Sequence, residues 1–206
     1  APAQRTFEVN TLTTYNIFPA CTRLGIPRVV WASSETLFGL PFTEPPAFVP
    51  IDETHPDRPN WSYALSKQLG ETMAESFCRW NPGMTIVSLR FSNVFSAEDY
   101  AELPAIQANP RWRRMNLWSY VDHEDAGDAC RLALEADLAG HQKMVIAAAD
   151  TLMDIETTEL LADYYPDIDR RGEITGHRSL LSSEEARERI GYQPRASWRT
   201  RVEAGR

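Results

Sequence analysis

The chain has 206 residues and a formal net charge of −8, with 43% hydrophobic and 24% charged residues. This composition is typical of a globular protein with one core, or one core and a small second lobe. The acidic balance disfavours a nucleic-acid-binding protein, which usually carries a basic patch. No apolar run approaches the ~20 residues that cross a bilayer, so we expect no membrane partner. Three widely spaced cysteines indicate a reducing compartment, and we expect the cytoplasm.

The apolar pattern predicts helices that alternate with short, continuously apolar strands. Strands of this kind, separated by helices, are typical of a parallel sheet buried on both faces, so the predicted fold class is α/β. Pro19 is expected to kink the first helix or to end it early. In chain order the predicted elements are helix 7–24, strand 28–34, helix 60–80, strand 84–91, helix 124–137, strand 144–150, helix 154–164 and helix 183–190.

Two long segments between these elements, 39–60 and 95–118, are irregular and rich in proline and aromatic residues. Loops of this length in a compact domain are usually functional. The second contains "PRWRRMNLW" (110–118), which gathers Arg111, Arg113 and Arg114 around Trp112 and before Trp118. This pattern favours an anion site for a carboxylate or phosphate, and the alternative is a solvated loop whose arginines stack on indoles.

Tyr63 and Lys67 are four residues apart on a predicted helix and therefore share one of its faces. A phenol has a pKa of about 10, and an ammonium one turn away favours the phenolate and lowers that pKa. Such a pair can exchange a proton with a sugar hydroxyl while a cofactor takes or gives a hydride. The alternative is two unrelated polar residues on a surface helix, because the spacing pattern is short.

Ser34 ends the first predicted strand, in "VVWASSETLFG" (29–39). This places it at the carboxyl edge of a parallel sheet, where such sheets bind their ligands. Its hydroxyl can hydrogen-bond both a substrate oxygen and the tyrosine. The alternative is a serine that caps the next turn.

Five motifs in this order resemble the NAD-dependent epimerase/dehydratase family of the extended short-chain dehydrogenase/reductase superfamily. The resemblance implies a partial Rossmann-like sheet flanked by helices, with a small C-terminal substrate-binding lobe. It implies that 1–92 is the remainder of a dinucleotide-binding domain and 93–206 the lobe, with 120–150 returning a helix and a strand to the sheet. The motifs are "VNTLTTYNIF" (9–18), "RVVWASSETLFG" (28–39), "PIDETHPDRPNWSYALSKQLGE" (50–71), "VSLRFSNVFS" (87–96) and "YVDHEDAGDACRLALE" (120–135).

The resemblance also implies roles for individual residues. Tyr63 would be the catalytic acid and base, Lys67 its partner and a ligand of the nicotinamide ribose, and Ser34 the residue that holds the reacting oxygen. The cofactor would be NAD or NADP. Its contacts would be Asn10, Ser33, Tyr63 and Lys67, and the substrate contacts Ser34, Glu35, Asn93, Arg114 and Trp118. We expect no metal site, because the histidines and cysteines lack ligand spacing.

The expected function is an oxidoreductase or epimerase acting on a sugar or nucleotide sugar. Trp118, however, stands where nucleotide-sugar epimerases usually carry an arginine for the diphosphate, and an indole cannot replace that contact. "WSY" (118–120) is more similar to uronate dehydrogenases, which act on free sugar acids. A third possibility is a non-catalytic sensor that binds a dinucleotide. The resemblance implies a homodimer through the helices at 7–24 and 60–80.

The family's glycine-rich turn, which cradles the cofactor pyrophosphate, has no counterpart in the sequence. The resemblance places that turn before Ala1. We therefore expect these 206 residues alone to bind the cofactor poorly, and the whole protein to bind it.

Overall fold

The computed structural model describes residues 2–204, in which helices and strands alternate along the chain. The helices in this range are α1 (Ala3–Arg23), α2 (Ser62–Trp80), α3 (Leu103–Ala108), α4 (His123–Glu135), α5 (Thr157–Tyr164), α6 (Glu184–Ile190) and α7 (Trp198–Ala204). The strands in this range are β1 (Arg28–Ser34), β2 (Thr85–Phe91), β3 (Val94–Phe95), β4 (Val121–Asp122) and β5 (Gly140–Ile146). Within the described residues, no helix is both long and apolar enough to cross a membrane.

The central sheet is parallel, with β2 between β1 and β5. Successive residues of β2 point to opposite faces, as expected for a pleated strand. Ile86 packs in a cluster with Phe18 of α1 and Phe77 of α2. Val87 and Leu89 pack in a second cluster with α4 and α6. The predicted α/β class, a parallel sheet covered by helices on both faces, is therefore confirmed.

A third and larger apolar cluster lies beyond the carboxyl end of the sheet. It joins Phe38, which follows β1, to Trp118 and to Leu160 of α5. The segment after β1 is tied to the C-terminal part of the chain by isolated bridges from Val49 and Ile51. Strands β3 and β4 form a separate two-stranded parallel sheet. The division into 1–92 and 93–206 stays a prediction.

Helix α1 runs through Pro19 to Arg23, so of the two effects expected of this proline, a kink or an early end, the early end is excluded. Proline lacks the N–H that would bond the carbonyl of Tyr15, four residues earlier. Tyr15 is about half exposed, so water can replace that bond. Phe18 is fully buried against Phe77, with ring centroids 5.7 Å apart, and this packing holds the helix together beyond the proline.

Two other predicted boundaries changed. β5 spans Gly140–Ile146 and not 144–150, because it pairs with all seven residues of β2 and begins with polar residues such as His141. The segment 95–118 is not wholly irregular, since it contains α3 and several short 3₁₀ turns. Segment 39–60 has no α-helix and no strand pairing longer than an isolated bridge.

Candidate active site

A cleft of about 460 Å³ lies at the carboxyl ends of β1 and β2, beside the first turns of α2. Parallel sheets bind ligands at this edge because the loops that follow the strands meet there. Six of its lining residues are Ser34, Glu35, Tyr63, Lys67, Asn93 and Arg113. Ser33 lines it as well.

Ser34 ends β1 in an extended conformation and caps the 3₁₀ turn that follows. Its Oγ accepts hydrogen bonds from the backbone N–H of Thr36 at 3.2 Å and from the Thr36 hydroxyl at 3.0 Å. Because Oγ is the acceptor in both bonds, its own proton remains available for another acceptor. Gly39 ends the turn at a φ of 106°, a left-handed conformation that glycine adopts without strain. The capping role and the predicted substrate contact are therefore compatible.

Tyr63 and Lys67 lie on successive turns of α2, and both side chains line the cleft. Burial raises the pKa of the Tyr63 phenol, while a hydrogen bond with Ser34 lowers it and the Glu35 charge raises it. Burial also lowers the pKa of the Lys67 ammonium. Burial is the largest of the effects on the phenol, so the net pKa of Tyr63 is raised, and the lowering expected from Lys67 stays a prediction.

Lys67 is anchored on the last residues of β1. Its Nζ donates to the carbonyl oxygen of Ala32 at 2.6 Å and lies 5.0 Å from the ring centroid of Trp31. The ring centroid of Tyr63 is 5.4 Å from the same atom. An ammonium has three N–H donors, so two remain for hydroxyl groups of a ligand. This donor set fits the ribose of a nicotinamide cofactor.

Glu35 is a buried carboxyl among the residues that line the cleft, and burial raises its pKa to about 7. Its Oε2 accepts from the Ser92 hydroxyl at 2.6 Å, and the charge of Arg113 opposes the shift. The carboxyl therefore changes its protonation state close to neutral pH, next to Tyr63.

Arg113 reaches the cleft, although the sequence prediction named its neighbour Arg114. The Nη1 of Arg113 donates to Asn93 Oδ1 at 2.9 Å, and Nη2 donates to the carbonyl of Ser119 at 3.2 Å. Arg114 is exposed and does not line this cleft. "RWRR" (111–114) indicated an arginine contact, but only the loop conformation decides which arginine faces inward.

Trp118 does not line the cleft. Its side chain is fully buried in the large apolar cluster, and its indole N–H donates to the carbonyl of Pro110 at 2.7 Å. The predicted substrate contact by Trp118 is corrected accordingly, since this indole is part of the core. Asn10 also lies outside the cleft lining: its Nδ2 donates to Ser66 Oγ at 3.2 Å, and Ser66 donates to the carbonyl of Tyr63 at 2.7 Å.

Comparison with known proteins identifies relatives of this chain. A sequence model of the NAD dependent epimerase/dehydratase family matches residues 1–147. A uronate dehydrogenase of Pseudomonas syringae pv. tomato is 34% identical over 140 residues, which are 68% of this chain and 44% of that protein. A Methanocaldococcus jannaschii protein, provisionally named as a UDP-glucose 4-epimerase, is 36% identical over 88 residues, 43% of this chain and 27% of that protein. The matched segments span less than half of these curated relatives.

Solved structures of similar fold include a short-chain dehydrogenase/reductase superfamily protein from Agrobacterium tumefaciens with bound NAD. The TM-score is 0.70 at 23% identity, covering 99% of this chain and 74% of that one. A UDP-glucose 4-epimerase from Thermotoga maritima with UDP-glucose has a TM-score of 0.66 at 18% identity, covering 98% and 71%. At these identities the likeness concerns the fold. Because the family model matches most of the sequence, the chain belongs to the NAD-dependent epimerase/dehydratase family.

Proposed function

We propose that the whole protein is an NAD(P)-dependent oxidoreductase or epimerase that acts on a sugar or nucleotide sugar. The supporting observation is that the Tyr63 phenol, the Lys67 ammonium and the Ser34 hydroxyl open into one cleft at the carboxyl edge of the sheet. Acid–base catalysis of alcohol oxidation requires a proton acceptor, a charge that favours its ionised form and a group that orients the alcohol. These residue types are the ones that the cleft provides.

The protein residues would divide the work as follows. Ser34 holds the reacting oxygen, and Tyr63 takes the proton of the substrate hydroxyl or returns it to a carbonyl. Lys67 binds the ribose of the cofactor, and its positive charge, 5.4 Å from the Tyr63 ring centroid, favours the phenolate. A nicotinamide cofactor, when bound, supplies the hydride acceptor or donor. In the observed arrangement the phenol is neutral, so the proton-donating direction needs no prior ionisation.

Turnover by the full-length protein tests this proposal. We expect reduction of NAD⁺ or NADP⁺ with at least one member of a panel of sugars, sugar acids and nucleotide sugars, or interconversion of epimers without net cofactor change. Tyr63→Phe should lower kcat by roughly 10²- to 10⁴-fold, the usual contribution of a general acid–base group. Tyr15→Phe is the matched control, because Tyr15 is exposed on α1 outside this cleft. Wild-type turnover in Tyr63→Phe would overturn the assignment, and dinucleotide binding without any turnover would favour the sensor.

A second candidate is a dehydrogenase of a free sugar acid. It is favoured by Arg113, a guanidinium in the cleft wall that can bind a carboxylate, together with the neutral residue at position 118. We expect Arg113→Gln to raise KM for sugar acids and to leave KM for neutral sugars nearly unchanged. Arg114→Gln is the control. The sequence prediction named Arg114 as the substrate contact, but Arg114 lies outside the cleft, so its replacement should leave both KM values nearly unchanged. Equal effects of both substitutions would argue against this candidate.

We also propose a homodimer in the cytoplasm. α1 and α2 pack side by side and leave several apolar side chains exposed, among them Val9, Leu12 and Leu65 at 49%, 60% and 42% exposure. Apolar clusters of this kind mark protein interfaces. Leu12→Arg should shift the protein from dimer to monomer in sedimentation velocity, whereas Leu134→Arg, at an exposed position of α4, should not. A wild-type monomer at all concentrations would overturn the proposal.

A further inference from the structure

Arg90 carries a positive charge in the interior of the central strand β2. Its side chain has no exposed surface, and its guanidinium lies 4.8 Å from the ring centroid of Phe38. A charge at such a depth is stable only when it is paired and hydrogen-bonded. Arg90 lies within the motif "VSLRFSNVFS" (87–96), but none of the roles assigned above includes it.

Two carboxylates surround the guanidinium. Glu71 of α2 accepts two bonds, from Nε at 2.9 Å and from Nη2 at 2.7 Å. Asp57, in the loop that leads into α2, accepts from Nη2 at 2.9 Å and lies 2.8 Å from Nη1. One guanidinium therefore holds both the helix that carries Tyr63 and the loop in front of that helix.

The network continues to the strand that carries Ser34. Glu71 Oε1 also accepts from the hydroxyl of Ser33 at 2.6 Å. Glu71 lies one turn after Lys67, whose Nζ bonds the carbonyl of Ala32. Two consecutive turns of α2 are thus attached to the last residues of β1, one by an ammonium and the other by a carboxylate held in place by Arg90.

The distance between Tyr63 and Ser34 depends on this attachment, because Ser34 directly follows the attached Ser33 and Tyr63 lies one turn of α2 before the attached Lys67. A misplacement of about 1 Å in an active site can cost roughly 100-fold in rate. We propose that Arg90, acting through Glu71 and Asp57, positions the Tyr63 phenol against the Ser34 hydroxyl. Arg90 and Glu71 are then positioning residues of the proton transfer. This inference rests on the proposed function.

The alternative is that the network stabilises the fold and nothing more. Glu71→Gln in the full-length protein distinguishes the two, with Ser88→Ala as its control. Ser88 is also fully buried on β2, but its hydroxyl bonds His141 Nε2 at 2.9 Å and does not line the cleft. Both substitutions remove a buried polar contact, so both should lower Tm.

The kinetic result separates a positioning role from a purely stabilising one. We expect Glu71→Gln to lower kcat roughly 100-fold with KM nearly unchanged, and to move the limb of the pH–kcat profile that reports Tyr63. Ser88→Ala should leave kcat, KM and the profile unchanged. If Glu71→Gln does not fold, Asp57→Asn takes its place, because the Asp57 side chain is 23% exposed and tolerates the change better.

A second readout needs no turnover. The ultraviolet absorbance of tyrosinate, taken as the difference between each protein and the same protein with Tyr63→Phe, follows the ionisation of Tyr63. Because the Ser34 hydrogen bond lowers the phenol pKa, its loss in Glu71→Gln should move the midpoint upward. Unchanged midpoint and kcat, with a Tm loss like that of Ser88→Ala, would overturn the inference. If the wild type turns over no sugar, the proposed function fails and the titration alone decides the positioning role.

Discussion

Glu35 links the chemistry of the cleft to the stability of the fold. Its carboxyl is fully buried and has a pKa of about 7, compared with its usual 4.5. The folded state therefore binds more protons than the unfolded state between these values, and the free energy of unfolding falls as pH rises through this window. The pKa shift of Glu35 corresponds to a loss of about 3 kcal/mol in the free energy of unfolding across this pH window.

Glu35→Gln should remove this pH dependence. The amide still offers Ser92 an oxygen, but it cannot ionise. We expect the variant to match the wild type near pH 4.5 and to exceed it in stability at pH 8. Urea unfolding at a series of pH values measures the difference, and parallel curves for the two proteins would contradict the prediction.

His55 should have the opposite effect on stability. Its Nε2 accepts from the backbone N–H of Ala47 at 3.0 Å, so the neutral ring donates from Nδ1 to the carbonyl of Pro56 at 2.9 Å. Burial lowers the pKa of His55 below its usual 6.5. The stability that the neutral ring contributes is present above pH 6.5 and is lost as pH falls through the lower folded value.

We expect the His55 ring to titrate below pH 6.5 by NMR, and wild-type stability to fall at acidic pH. His55→Gln should reduce that acid dependence. His123→Gln is the control, because the His123 side chain is 48% exposed. A His55 midpoint above 6.5 would show that the charged ring is tolerated in the fold.

For single residues, the sequence indicated which side chains could carry the chemistry better than it indicated which side chains would lie beside them. Serine at a strand end and tyrosine four residues before lysine are local patterns, and the structure brings Ser34, Tyr63 and Lys67 to one cleft. Arg113 was predicted only as one of three arginines of an anion site, and Arg114 was chosen as the substrate contact, because adjacent residues in an irregular loop have no periodicity that orients them. The catalytic and binding roles of these five residues stay predictions.

Helix α2 packs closely against β1 at Gly70, where the absence of a side chain leaves room for a ring from the strand. A Cβ at Gly70 would lie 2.4 Å from two ring carbons of Trp31, the residue whose ring also contacts Lys67. Gly70→Ala should therefore displace Trp31 and destabilise the protein by about 1–3 kcal/mol, as overpacking does. The displaced ring should also lower activity, because Lys67 loses that contact.

Gly127→Ala is the matched control for this substitution. Gly127 lies inside α4, is exposed and has no atom within 4 Å of an added Cβ. Alanine is the better helix former by about 1 kcal/mol, so this variant should gain stability. Thermal unfolding of both variants decides the matter, and similar Tm values for the two would contradict the close approach at Gly70.

Element types were predictable where apolar periodicity is strong, as in α2 and β2. The first and last residues of the elements were less predictable. β5 begins with polar residues, and its pairing with β2 decides where it starts. α1 continues past Pro19 because Phe18 packs against α2, a contact that no local pattern shows.

For the molecule as a whole, the C-terminal segment closes the large apolar cluster. Trp198 is buried, its indole N–H donates to the carbonyl of Thr151 at 2.8 Å, and its backbone N–H donates to the Tyr120 hydroxyl at 2.9 Å. Trp198→Ala should cost about 3–5 kcal/mol in unfolding free energy, as expected for a large core side chain. Trp112→Ala, at 58% exposure, should change it by about 0.5 kcal/mol or less. Chemical denaturation compares the two, and equal losses would show that Trp198 does not close the core.

The sequence by itself determined the α/β class, the order of the main elements and the family, because apolar periodicity and motif order are properties of the linear sequence. The tertiary structure alone decided that Trp118 belongs to the core, that Arg113 faces the cleft and that Arg90 joins Glu71 to Asp57. Those facts depend on contacts between residues far apart in the chain. Burial then sets the pKa values of Glu35, Tyr63 and Lys67, and burial exists only once the chain has folded.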